Sequence, residues 1–154
     1  MTPAQASTLK AFALADQTAS ALIADGNDIA LAEWFNTTEA AYIVWKSDLR
    51  PDTVPQVFVW TEIDALTNGK ARIWEWMRLM LTLDCRIANI RKGLNDAFTG
   101  ATATKAAVLA FIKRSATHAE KACASGVGSD ASPAILDFVG SVSSNDCITI
   151  RNAT

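Results

Sequence analysis

Trp60-Thr61-Glu62-Ile63-Asp64, the turn Thr67-Asn68-Gly69, and Lys70-Ala71-Arg72-Ile73-Trp74-Glu75-Trp76-Met77-Arg78-Leu79-Met80-Leu81-Thr82-Leu83 together set the fold class of this chain. Thr61 is positioned to cap a short helix through its hydroxyl, with Asp64 reaching back as a variant capping box. Asn68-Gly69 stops that helix, because glycine enters the left-handed region without a Cβ clash. A second helix starts at about Lys70. Its apolar residues Ile73, Trp76, Met77, Met80 and Leu83 share one helical face, and Trp74 and Leu81 lie on another side. A helix apolar over so much of its circumference is buried on more than one side. Each fully buried Trp, Met or Leu then contributes roughly 1.5–3 kcal/mol. The reading therefore predicts a structural core built on Trp60, Ile73, Trp74, Trp76, Met77 and Met80, with Arg72, Glu75 and Arg78 as a solvated charged edge.

The Gly69-Lys70 pair does not make a phosphate-binding loop. That motif needs a glycine five residues before Gly69, where this chain has Asp64, and Ser or Thr after the lysine, where it has Ala71.

The 154 residues suffice for one domain with a real core, and 50% hydrophobic against 19% charged residues is a folded, globular balance. The formal net charge of −2 is not the strongly basic signature of a nucleic-acid-binding domain. Cys85, Cys123 and Cys147 are far apart and odd in number, which suits buried thiols in a reducing compartment, not a disulfide framework or a zinc site. His118 is the only histidine, so neither a histidine-based triad nor a metal site is expected, and no cofactor. Neither a signal peptide nor a membrane span is read from the sequence.

Along the chain, Thr2 caps a first helix with Pro3 at its first position. The apolar face continues past Asp16 to Asp25-Gly26, and Asp28 caps the next helix through Phe35. Ala41-Tyr42-Ile43-Val44-Trp45 has strand composition but few visible partners, so an extended connector is expected there. Pro51 and Pro55 confine the next segment to short helical turns. Ile90–Phe98 reads as a short helix. A last long helix is expected from about Thr102 to Ala124, with Arg114, His118 and Lys121 on its polar face. Gly126–Pro133 is a loop by composition. Ile135–Val142 alternates loosely, and Ser143 or Ser144 caps a final short helix through Cys147, Ile148 and Ile150. The expected architecture is mostly α: one helical domain over residues 1–154, with one or two short extended segments. Residues 126–154 form a flexible loop or extended C-terminal region ending in a short helix.

Two surfaces stand out. Arg114, His118 and Lys121, with Lys113 nearby, fit either a phosphate backbone, an acidic partner or a solvated helix face partly neutralised by Glu120. The Gly126–Pro133 loop fits either a connector or a segment that orders on a partner. Glu62, Asp64 and Glu75 share no pocket for acid–base work, and Ser141–Ser144 lacks the nucleophile elbow, so no catalytic residue is identified and no enzyme is expected.

Several runs resemble a family of small structural proteins of tailed bacteriophages. They are Trp45-Lys46, Trp60–Asp64, Gly69–Met77, Lys113–Lys121, and the loop residues Gly126, Gly128, Asp130, Ser132 and Pro133. They cover much of the chain in family order, although the family has arginine where this chain has His118. Within that group, a small helical protein of this size is similar to head-to-tail adaptors, also called connector or head-completion proteins. The resemblance implies a virion protein made in the host cytoplasm, with the portal and tail-side proteins as partners. It also implies self-association into a ring, commonly dodecameric, whose lumen faces packaged DNA. Lys113, Arg114, His118 and Lys121 would face DNA or a partner. Gly126, Gly128, Asp130, Pro133, Ile148 and Ile150 would belong to a portal-docking segment. The alternatives are a capsid-associated or tail-completion protein, or a small nucleic-acid-binding protein.

Overall fold

A computed structural model describes residues 1–154. In chain order the elements are α1 (Pro3–Leu14), α2 (Gln17–Asp25), α3 (Asp28–Asn36), β1 (Thr38–Trp45), a 3-10 segment (Pro51–Val57), α4 (Trp60–Asp64), α5 (Asn68–Arg78), α6 (Ala88–Ala97), α7 (Thr102–Phe111), β2 (Lys113–Thr117), α8 (His118–Ala122), β3 (Ala124–Ser125), β4 (Ile135–Leu136) and α9 (Ser144–Asn152). The chain is mostly helical, with two small two-stranded sheets, β1–β2 and β3–β4. Its residues group into two compact units, Met1–Val44 with Ser115–Thr154, and Trp45–Arg114.

In the first unit, side-chain caps fix where helices begin. Thr2, Asp16, Asn27, Thr117 and Ser143 each accept a hydrogen bond from the backbone N–H three residues on, opening α1, α2, α3, α8 and α9. Such caps are each worth about 1 kcal/mol. Asn27, not Asp28, caps α3, which leaves the Asp28 carboxylate to pair with Arg151 of α9 at 2.9 Å. Leu9, Leu31, Phe35, Val142, Cys147 and Ile150 form the buried centre. Asn36 clamps Val142 at both ends, donating to its carbonyl (2.8 Å) and accepting from its N–H (2.9 Å). The C-terminal segment thus ends in a short helix, and that helix is packed against α1 and α3.

Two sequence expectations fail here for one reason. Ala41–Trp45 is not a connector but the second half of β1, and the helix expected over 102–124 is broken. It stops at Phe111, and Lys113–Thr117 becomes β2, the partner of β1. Alanine-rich composition favours helix, but β1's backbone groups need partners. Helix resumes at His118 because Thr117 and Glu120 form a capping box. The other side of β1 is paired too: the Ile43 N–H donates to the Gly128 carbonyl at 2.7 Å, and the Ala134 N–H to the Ile43 carbonyl at 2.9 Å.

In the second unit, Val54, Met77, Leu83, Leu94, Phe98, Val108 and Ile112 form the buried centre, and α5 lies against α6. Phe58 meets Trp74 and Phe98 at centroid distances of 5.5 and 5.2 Å. Thr61 does not cap α4, which begins a residue earlier at Trp60 without a side-chain cap. Instead Glu62 works at a distance: its carboxylate accepts from the backbone N–H of Thr104 (2.8 Å) and Ala103 (3.1 Å), capping α7. Those bonds, the one to Thr104 foremost, hold the Glu62 carboxyl below the usual glutamate range.

Gly128 has φ +71, and a Cβ there would clash with the Tyr42 ring. Gly128→Ala combines left-handed strain with overpacking, so a loss on the order of 2 kcal/mol or more is expected in urea unfolding. A depressed folded-state pKa gives stability that is present above the unfolded-state value and lost as pH falls through the folded one. Glu62→Gln is therefore less stable than wild type at neutral pH. The gap between their unfolding midpoints closes below the ordinary glutamate range, as paired urea titrations across acid pH will read.

Candidate interaction surface

The basic residues singled out by sequence do not form a helical stripe. Lys113 and Arg114 lie on β2, and His118 and Lys121 on α8, so four- and three-residue spacing does not align them. The His118 ring packs on Trp34 at 4.4 Å, and its Nδ1 is 2.9 Å from the Trp34 carbonyl, which makes Nδ1 the donor. Its Nε2 is 3.9 Å from Glu39 Oε2, the oxygen that also takes Lys121 Nζ at 3.2 Å. Lys121 further lies over the Tyr42 ring, and Lys113 over Trp45. Glu39, on β1, thus engages two of the four cationic candidates. It was invisible as a participant in sequence because its partners are about 80 residues away.

The candidate C-terminal segment divides in the same way. Gly126 accepts a hydrogen bond from the Tyr42 hydroxyl, and Gly128 is fixed on β1. Asp130 is exposed, Pro133 half-buried, and Ile148 exposed beside a groove of about 480 Å³. Ile150 is fully buried and cannot meet a partner: it lies on the face of α9 that fills the core.

The largest departure concerns the expected core. Met77 is buried, and Ile73 and Trp74 pack against the second unit's centre. Trp60, Trp76 and Met80 do not belong to that core: Trp60 is 60% and Trp76 69% exposed, and Met80 is also open. The buried face of α5 is centred on Ile73, Trp74 and Met77, which turns Trp76 outward. The helix then ends at Arg78, so Met80 is no longer on its face. Trp60, at the start of α4, meets the Phe58 ring edge-on at 5.6 Å.

Beyond α5 the chain makes an apolar ridge. Leu79 is 80% and Leu81 92% exposed. Leu83 returns to the core, exchanging two backbone hydrogen bonds with Leu49 at 2.8 and 3.2 Å. Two grooves flank the ridge and share Pro55 and Arg78. One of about 800 Å³ is lined by Arg50, Asp52 and Leu79–Thr82, the other of about 340 Å³ by Phe58, Trp60, Ile63 and Trp74. Contiguous exposed apolar residues rimmed by charge mark interaction surfaces.

Charge is divided between the units. Residues 1–44 and 115–154 carry three Lys/Arg and nine Asp/Glu, a formal −6; residues 45–114 carry eleven and seven, a formal +4. The total of −2 conceals this.

No group of three or more His, Cys, Asp or Glu side chains is placed to hold a metal ion, and no helix is long and apolar enough to cross a membrane. All three cysteines are buried and unpaired. Burial pushes the Cys85 thiol up to about 12 and that of Cys147 to about 11, and raises Cys123 as well. No family model, curated protein or solved structure matches the chain.

The thiolate is the reactive form, and these thiols are both buried and held neutral. In the native protein at pH 8, none of the three is expected to react with a thiol-specific dye over minutes, whereas all three react after unfolding in guanidinium.

Proposed function

We propose that the protein is a structural component of a tailed-bacteriophage virion, a head-to-tail adaptor that binds the portal and assembles as a ring joining capsid to tail. The observation that carries the reading is the exposed apolar surface of Trp60, Trp76 and Leu79–Leu81. Two of the runs that resemble the phage family, Trp60–Asp64 and Gly69–Met77, each hold out a tryptophan to solvent. Exposed aromatic residues are frequent anchors of protein interfaces. The absence of a convergent polar pocket around them suits a protein that works by contact. In this reading the portal meets the exposed members of the C-terminal segment, Val127, Asp130 and Ile148, while the second unit meets other protein. The protein resides in the virion after synthesis in the host cytoplasm.

The reading is tested by light scattering of the purified chain, alone and mixed with its cognate portal. A stoichiometric complex of ring size is expected with portal, and Val127→Asp combined with Ile148→Asp should weaken it at least tenfold while leaving the thermal midpoint unchanged. A chain that ignores portal but binds capsid shell or tail tube would replace the adaptor role with capsid association or tail completion. Salt-dependent binding to duplex DNA without any virion partner would replace it with nucleic-acid binding.

A further inference from the structure

We propose that copies of this chain associate head to tail, the Leu79–Leu81 ridge of one copy seating on the outer face of α3 in the next. The inference rests on the ring reading above and names the contact that builds the ring.

The division of charge selects this occupant. A ridge-on-ridge contact would bring together two units of formal +4. A contact between the basic unit of one copy and the acidic unit of another, at −6, is attractive instead. Because the two patches differ, the pair formed by the first contact retains one free patch of each kind, and association continues until a ring closes.

The patches match in detail as well as in sign. The ridge presents Leu79 and Leu81 beside Arg78, whose guanidinium makes no hydrogen bond or ion pair in the structure. On α3, Ile29 is 69% exposed, and Glu33 lies one turn on, on the same face and also exposed. The Glu33 carboxylate has no partner, in contrast to Asp28, which Arg151 occupies. Each surface therefore offers exposed apolar side chains next to an unpaired charge, and the charges are opposite. Burying Leu81 against Ile29 supplies affinity, and pairing Arg78 with Glu33 fixes orientation. Both patches lie on exposed positions away from either core, so variants there leave the fold intact, which far-ultraviolet dichroism and thermal melting verify.

The test is oxidative cross-linking of the full-length chain carrying both Leu81→Cys and Ile29→Cys, with and without cognate portal. The native cysteines are buried, so the introduced thiols are the ones available. A ladder of disulfide-linked multimers is expected from the double variant. A mixture of the two single variants should stop at dimers, and either single variant alone should stay monomeric. Adding Arg78→Glu should reduce the ladder at least tenfold, and Glu33→Arg on top of it should restore the ladder. Coupling of Leu81→Cys to itself would overturn the proposal in favour of a symmetric dimer. Absence of coupling both with and without portal, or a ladder indifferent to Arg78→Glu, would overturn it outright. Portal binding by the wild-type chain is read separately. A ladder without portal binding keeps this contact and removes the adaptor reading, whereas portal binding without a ladder does the reverse.

Discussion

The backbone of β1 is the constraint from which much of the first unit derives. A strand exposes N–H and C=O groups along both edges, and buried ones are costly to leave unpaired. Lys113–Thr117 pairs with one edge of β1, and Gly128 and Ala134 with the other. Pairing on the first edge interrupts helix at Ile112 and obliges it to restart at His118. Pairing on the second draws the glycine-rich loop so close to Tyr42 that only glycine fits at position 128. Val44, Ala116, Ala134 and Leu136 then become a small buried cluster of their own.

The same pairing decides the chemistry of the basic residues. With Thr37's carbonyl bonded to the His118 N–H and Glu39 on the adjoining strand, His118 and Lys121 face groups of their own chain. Half-buried and engaged, they hold α8 to β1 and α3. The cations of the second unit are differently placed. Several, Arg72 and Arg78 among them, stand on exposed helix with no carboxylate partner, next to apolar side chains. A surface of that composition gains from a partner that is apolar and acidic, which is the character of the first unit's α3. Charge segregation on this scale affects association kinetics and orientation more than fold.

How the second unit holds together explains why its tryptophans divide. Its core is already filled by Phe58, Trp74 and Phe98 in mutual contact, with Leu94, Val108 and Met77 around them. Trp60 and Trp76 stand outside that cluster and are left at the surface. Glu62 meanwhile ties α4 to the start of α7 through backbone N–H groups, which fixes the end of the unit that carries Trp60.

Local signals determined a good deal. Thr2, Ser143, the helix over Ile90–Phe98, the left-handed stop at Gly26 and the helical class could all be read from residue chemistry, because caps, glycines and apolar periodicity act within a few residues. Thr117-x-x-Glu120 was equally legible as a capping box and would have signalled the restart of helix at His118. What sequence could not decide was anything set by distant partners. The strand at Lys113–Thr117 exists because β1 lies beside it. Glu62 caps a helix about 40 residues away. The face of α5 that is buried was chosen by which aromatic residues had already filled the core, so periodicity found an apolar helix but could not say which of its tryptophans would remain in water. Hydrophobic pattern specifies that burial must occur; three-dimensional packing alone specifies which side chains share the limited interior.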